Sequence, residues 1–521
     1  MAKNRVYEKF KTHLADQFFE SYTEPANTAY YIVLSKSSAW PDDNNPPEPD
    51  STQHFADHTF YDEMIGGKLV RPNDVSFVVN RYNWISGEVY AQYDHNDPDL
   101  HTKRFYVITD ELNVYKCLFN NNGGASTERP SGYSLSTFST TDGYIWKYMY
   151  SVDNDRAEKF LTRDHIPVQH LKSDDNSRQW DVQLDAVTGQ INAIEVTDAG
   201  SSYRAYTSGV IQSIVNSSAV VLASTANTSQ DNHYRDSAFY VSSGAGAGQI
   251  STITAYDAAS RTLTVEDNIT STMSSGGIEP SRYYIGPQVQ ITSPDGSGAT
   301  AIANINPSSN TVANVSVINA GTNYRRANVA IIAKNEHGSG ATARALISPA
   351  GGHGNNAVKE LLSEKIMLST TFSGDEGGNI PDSATFRQIL LVKDPLFANG
   401  TQTNTTSQQV VRLCHQLTHT DGGTNKFQVG EFVAGLTSKA EGRVIQSNTS
   451  TVFLSAVEGD FLGNETLIGN TTTTFTPSIT ALGNRGSDLI NSSGELFYVQ
   501  NLVPVHRTEN QIEDIKIVLD F

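Results

Sequence analysis

Cysteine is nearly absent from this chain. Only Cys117 and Cys414 occur in 521 residues, each inside an apolar run ("VYKCLF" and "VVRLCHQL"). Two cysteines make neither a disulfide framework nor a zinc site, so both are expected as buried free thiols of a protein folded in a reducing compartment. Long hydrophobic runs are missing too. No apolar stretch reaches the roughly 18 residues of a membrane-spanning helix, and "MAKNRVYEKF" lacks the apolar core of a secretory signal. Charge is sparse, at 18% of residues, which suits a turn-rich β protein better than a helical enzyme. Positive charge is the scarcer sign, with 37 Lys and Arg against 56 Asp and Glu. A net charge of -19 cannot displace counterions from duplex DNA or bind an anionic bilayer, so neither nucleic acid nor membrane is expected as a partner. The acidity is read as a solubility device.

Catalytic vocabulary is thin. The "SGAGAGQI" stretch (243–250) has the glycines of a phosphate-cradling loop, but the β-branched "STIT" follows where a helix would have to begin. It is read as a tight hairpin. "GSGATA" lacks the lysine of a P-loop and is read as a turn. His54 and His58 in "HFADH" stand four apart, but Phe55 replaces the glutamate of a hydrolytic zinc helix. "DHNDPDL" (94–100) lacks the glycine and terminal glutamate of a calcium loop and is read as a solvated loop. No Gly-x-Ser-x-Gly elbow is present. No catalytic, cofactor-binding or metal-binding residue is assigned, no cofactor is expected, and the chain is not expected to be an enzyme. A glycan hydrolase would instead need two carboxylates facing each other across a groove.

What is present is β-strand texture. After an amphipathic N-terminal helix (Val6, Phe10, Leu14, Phe18, Phe19), "NTAYYIVLSKS" (27–37) reads as a strand, and a short helical piece falls near 52–65. Further strand-like runs are "DVSFVVNRYNW" (74–84), "FYVITDELNVYKCLF" (105–119) and "DGYIWKYMYSV" (142–152). The fold class expected is mainly β, with α+β character in the N-terminal part. Trp84, Tyr144, Trp146 and Tyr148 are singled out as core or interface aromatics, both readings staying open.

From 183 to 358 charge thins and Gly, Ser, Thr, Ala and Asn dominate. Here the chain repeats itself. "INAIEVTDAGSSYR" begins at Ile191 and "VANVSVINAGTNYR" at Val312, 121 residues on, while "GSGATA" occurs twice, 42 residues apart. Gly200 and Gly321 are expected at positive φ, with Tyr203 and Tyr324 packing back on the turn. A period near 40 with few copies predicts small pseudo-symmetric β units rather than a long solenoid. A second patch, 426–482, alternates strands with Gly turns and carries the paired phrases "VGEFVAG" and "LGNETLIG". It predicts a small β-barrel-like module with Phe427, Val429, Val444, Ile445, Phe453 and Leu454 as core.

Outside these two patches, several stretches in order resemble the baseplate wedge subunit of T-even-type contractile-tailed bacteriophages, the gene-product-eight family. They are "NTAYYIVLSKSSAWPDDNN", "VSFVVNRYNW" with Arg81 and Trp84, "VYKCLFNN", and "DGYIWKYMYSV" with Asp142, Gly143, Tyr144, Trp146 and Tyr148. "FRQILLVKDPL" (386–396) and "SGELFYVQNLVPVHRTENQIEDIKIVLDF" (493–521) complete the set. The similarity covers about half of the chain; the excess length falls in the two patches.

The resemblance implies a discontinuous two-domain wedge subunit carrying inserted small β-sandwich or barrel-like modules. Its parts would be 1–182 (wedge N-terminal region), 183–358 (inserted repeat module), 359–425 (wedge region resumed), 426–482 (inserted small barrel) and 483–521 (wedge C-terminal region). It implies a structural role in the virion, within a viral tail baseplate, with assembly in the host cytoplasm. The implied partners are other baseplate wedge proteins and a second copy in a homodimer. The alternative is a receptor- or glycan-binding tail protein, with the inserts as binding modules.

Overall fold

The computed structural model describes residues 8–23, 28–49, 57–204, 206–226, 228–277, 279–334, 337–401, 403, 408–420, 422–481 and 487–521. It is mainly β, built of several discrete sheets, and divides into two compact units. One comprises Met1–Val78, Glu158–Leu161 and Glu364–Phe521; the other comprises Val79–Ala157 and Thr162–Ser363. The chain thus crosses from one unit to the other inside the 1–182 region.

In the first unit, helix Glu8–Thr23 precedes strand Tyr30–Ser35, whose six residues are all buried. Strand Tyr30–Ser35 lies between Met64–Leu69 and Thr385–Lys393, both antiparallel, and Glu495–His506 forms one edge of the sheet. Where a single helical piece was expected near 52–65, helix Asp57–Asp62 gives way to strand Met64–Leu69, and Gly66 and Gly67 occupy that strand because Ile380 and Val33 leave no room for a Cβ. A second sheet places Lys365–Ser373 between Ile512–Asp520 and residues 75–78. Arg507, buried, ties the two C-terminal strands together through Glu513 Oε2 at 3.0 Å and the carbonyls of Pro381 and Gly374.

The same unit carries a six-stranded module, in the order Leu467–Gly469, Phe432–Gly435, Glu441–Ser447, Thr451–Glu458, His415–His419, Ile479–Ala481. A bridge between Thr466 and Ser478 brings the two edges together, rolling the sheet into a barrel-like shape. Phe427, Val444 and Leu454 are in its core, with Leu417, Val433 and Leu467. Val429 is not: it is 65% exposed. Ile445 and Phe453 are buried but stand outside that core, because side chains alternate across a strand and Val444, Val452 and Leu454 take the inner places. Their outer face packs on the rest of the unit, where Ser455 Oγ meets Ser37 Oγ at 2.9 Å and Gln446 bonds Asp382 at 2.8 Å.

In the second unit, Asn113–Asn120 and Tyr144–Ser151 are the middle strands of a four-stranded sheet. The repeated phrases build a closed barrel in the order Gln288–Thr292, Ser297–Asn306, Thr311–Thr322, Ile191–Ser201, Ser339–Ile347, Asn328–Ile332. Its two halves are related by pseudo-twofold symmetry. One half, 288–322, is continuous; the other joins 328–347 to 191–201, so one repeat is split around the rest of the module. Between its pieces lies a seven-stranded sheet with a core of Phe239, Val241, Ile253, Leu263, Tyr283 and Ile285, among others.

Candidate functional site

Glycine and tyrosine set the barrel ends. Gly200 and Gly321 adopt φ of 61° and 59°. A Cβ at Gly200 would stand 2.5 Å from Ala341 N, and one at Gly321 2.5 Å from Ala299 N. Asp198 and Asn319 each accept a 2.9 Å bond from the N–H of the glycine two residues on, making equivalent side-chain turns.

Three of the four singled-out aromatics lie on strand Tyr144–Ser151, and Trp84 packs against them from outside the strands. Tyr144, Trp146 and Tyr148 alternate along their strand, share a face, and are fully buried with Tyr90, Tyr115 and Cys117. The Tyr144 and Trp146 rings stack at 5.4 Å, and Tyr144 Oη donates to Gly124 O at 2.6 Å. Trp84 is half-buried at the margin of this cluster, and its indole N–H donates to Ser126 Oγ at 3.0 Å. The buried three are core; of the four, only Trp84 keeps any exposure.

The opposite face of this sheet carries a feature that the sequence did not announce. Lys116 and Lys147 face each other across the two middle strands, and both are buried. Lys116 Nζ lies 2.9 Å from Glu360 Oε2, 3.1 Å from His353 Nδ1, and 3.8 Å from the centre of the Tyr93 ring. Glu360 Oε1 accepts from Gly354 N at 2.8 Å and Asn356 N at 3.2 Å. Burial opposes the Glu360 charge, but Lys116 and the His353 hydrogen bond prevail and bring its pKa down to about 2. Burial, then Lys116, pushes His353 down to about 4. Lys147 donates to Leu135 O. Lys116 Nζ and both Glu360 oxygens have partners, so the arrangement clamps the 353–360 segment to a strand. A lysine within "VYKCLF" gives no sequence signal of a partner 244 residues away.

The other candidate motifs are also used structurally. Gly244, Gly246 and Gly248 take positive φ in a turn joining Ala238–Ser243 to Ile250–Asp257. Both "GSGATA" copies, expected as turns, instead form the first residues of barrel strands Ser297–Asn306 and Ser339–Ile347, only Gly296 and Gly338 standing ahead of them. The "DHNDPDL" loop is less solvated than expected: Asp94 bonds Arg344 at 2.6 Å and Asp97 bonds Lys103. His54 and the side chain of His58 lie outside the described residues. Cys117 and Cys414 are free and buried. Among the described residues, no group of three or more His, Cys, Asp or Glu could hold a metal ion, and no helix is long and apolar enough to cross a membrane.

The small barrel contains a second pseudo-twofold. Glu431 accepts from the backbone N–H of Gln428, Thr471 and Thr472; Glu465, 34 residues on, accepts from Leu462, Thr437 and Ser438. Strand Phe432–Gly435 pairs with Leu467–Gly469 about an axis through Ala434 and Ile468. Each glutamate therefore lies over the glycine of the other phrase. A Cβ on Gly469 would stand 2.6 Å from Glu431 Oε2, and one on Gly435 2.6 Å from Glu465 Cδ. Burial opposes both charges, but the N–H donors lower both pKa values. These carboxylates hold turns.

No protein-family model matches the chain, and no curated protein matches it.

Proposed function

We propose that this protein is a structural subunit of a phage tail baseplate wedge, a discontinuous framework interrupted by two inserted β modules, working through assembly rather than catalysis. One observation carries the reading. Segments that bear the resemblance, far apart in the chain, are strand partners: Tyr30–Ser35 pairs with Thr385–Lys393, which pairs with Glu495–His506; Ile512–Asp520 and residues 75–78 flank one strand, Lys365–Ser373, of the region expected to resume the framework. Such pairing is what an interrupted framework requires. The buried charges support it too, since Lys116, Glu360, Arg507 and Glu513 are spent on joining segments. Its partners are other baseplate wedge proteins and a second copy, and its place is the virion.

The glycan-binding alternative draws less support. Among the described residues of 183–358, the large exposed hydrophobics are Leu184, Ile214, Val215 and Ile332, none of them the aromatic platform that sugar binding favours. Imaging of the intact particle tests the proposal: density for this chain is expected in the baseplate, and density in the capsid, tail tube or fibre tip overturns it.

A further inference from the structure

The chain leaves the barrel at Ile347 and reaches Lys365 through a segment, 349–363, that contributes no strand to any sheet. Among the described residues, its backbone–backbone hydrogen bonds all stay within the segment. Gly352 N donates to Pro349 O, Glu360 N to Asn356 O, Leu361 N to Ala357 O, Leu362 N to Lys359 O and Ser363 N to Val358 O. It is nevertheless buried at His353, Ala357, Val358, Glu360 and Leu361. A Cβ on Gly354 would stand 2.4 Å from Val182 Cγ1, so the segment seats closely on helix Arg178–Asp185. Its polar attachment to strand Asn113–Asn120 is Lys116, which reaches both His353 and Glu360.

That attachment works in one protonation state. An ammonium can only donate, so His353 Nδ1, 3.1 Å from Lys116 Nζ, must accept, and the ring proton sits on Nε2. A second proton would make Nδ1 a donor facing a donor, with two cations at that separation in a buried place. The neighbours offer little relief. Glu360 Oε2 is 3.7 Å from Nδ1 and is already taken by Lys116, while Oε1 is taken by two N–H groups. Lys147, on the next strand, adds a further positive charge, and Asp185 acts on it from the helix. The Tyr93 ring meets the imidazole edge to face at 5.0 Å and carries no charge. His95 stands just outside the segment, its Nδ1 accepting from Ile347 N at 3.3 Å beside Asp94 and Arg344.

We propose that 349–363 is an acid-released latch: a proton on His353 frees the segment as one piece while the barrel and the four-stranded sheet stay folded. Release bares Lys116 and Lys147 and turns the fixed connection between Ile347 and Lys365 into a slack one. The folded His353 titrates near 4, and Glu360, brought down to about 2, stays charged throughout, so one proton governs the event.

Hydrogen exchange of the full-length protein, corrected for the pH dependence of intrinsic exchange, tests this. A segment that opens by taking up one proton loses protection about tenfold per pH unit. Protection of the Gly354, Asn356 and Leu361 N–H groups is therefore expected to fall about a hundredfold over two units below pH 6.5. At every pH it is expected to stay at least about tenfold below that of strands Asn113–Asn120 and Tyr144–Ser151, because the latch opens without global unfolding. His353→Asn supplies an amide oxygen that accepts from Lys116 but does not titrate, and is expected to abolish the fall while leaving His95 in place. A segment whose protection ignores pH, one protected as well as the two strands, or a fall that persists in His353→Asn overturns the proposal. Should that variant not fold, the comparison of segment and strands in the native protein still decides. The latch does not rest on the baseplate reading, which particle imaging decides separately.

Discussion

Tyr203 and Tyr324 make the same contact in the two halves of one barrel. Tyr203 Oη accepts from Ala341 N at 3.2 Å, and Tyr324 Oη accepts from Ala299 N at 3.1 Å. Their backbones are exchanged across the pseudo-twofold: Tyr203 N donates to Asn310 O, and Tyr324 N donates to Gly189 O. Each ring lies where its partner glycine has no side chain, with a Cβ on Gly338 only 2.5 Å from Tyr203 Cδ1 and one on Gly296 2.3 Å from Tyr324 Cγ. A repeated strand, turn and tyrosine thus closes a barrel from both sides.

Substitution at these places has graded consequences. Tyr203→Phe or Tyr324→Phe leaves one backbone N–H without its acceptor and is expected to cost about 1–2 kcal/mol. Gly296→Ala or Gly338→Ala forces a ring and backbone apart and is expected to cost roughly 3 kcal/mol or more. Urea unfolding of the four variants checks the order.

Lys116→Met strands the Glu360 carboxylate in the interior and is expected to destabilise by about 3–5 kcal/mol. Lys116→Met combined with Glu360→Gln is expected to cost far less than the two single changes added together, because the amide oxygen of the introduced glutamine can still accept from the N–H groups of Gly354 and Asn356. A double-mutant cycle by urea unfolding reads the coupling.

Acid is expected to weaken the second unit in two stages. His353 titrates near 4 when folded against an ordinary 6.5, so the unfolded chain binds more protons across that window and stability falls as pH drops from about 6.5 to about 4. Glu360, brought down to about 2 from 4.5, contributes stability that is present above about 4.5 and lost as pH falls toward about 2. His353→Ala is expected to remove the upper stage and to shrink the lower without abolishing it, because Lys116 still lowers Glu360 once the His353 hydrogen bond is gone, as followed by unfolding free energy against pH.

The small barrel is expected to be separable only at its true limits. Deleting 426–470 leaves strands His415–His419 and Ile479–Ala481 without their barrel, exposing Leu417 and Ile479, and is expected to aggregate the protein. Replacing 415–481 with a short Gly-Ser linker is expected to keep a cooperative melt of the remainder. Melting and light scattering of both deletions distinguish the cases.

Within that barrel, Gly469→Ala collides with Glu431, so its cost is expected to shrink by about 1 kcal/mol or more when Glu431→Ala is made first. Equal costs in both backgrounds would show that the cradle is not what constrains Gly469.

Much of this architecture is legible locally. Short runs rich in aromatic and aliphatic side chains mark Tyr30–Ser35, Tyr144–Ser151 and Thr385–Lys393, because a strand buried on both faces needs such side chains at nearly every position. Gly200 and Gly321 declare positive φ because a Cβ there meets backbone atoms. The small module is legible in kind but not in extent. Val429 reads as core by hydrophobicity alone, yet it stands exposed just ahead of the Glu431 turn, and strand His415–His419 precedes the expected boundary. The aromatics of the second unit show the same limit, since nothing in "DGYIWKYMYSV" tells a buried face from a docking face.

By itself the sequence determined the strands, the turns, the paired phrases and the scarcity of charge along 205–230, because each of these is set by neighbours within a few residues. Only the tertiary structure decided that one repeat is assembled from 328–347 and 191–201, that Lys116 finds Glu360, and that Tyr30–Ser35 pairs with Thr385–Lys393. Those choices depend on which apolar faces can be buried together and which buried charges can be neutralised, and both are properties of residues hundreds of positions apart.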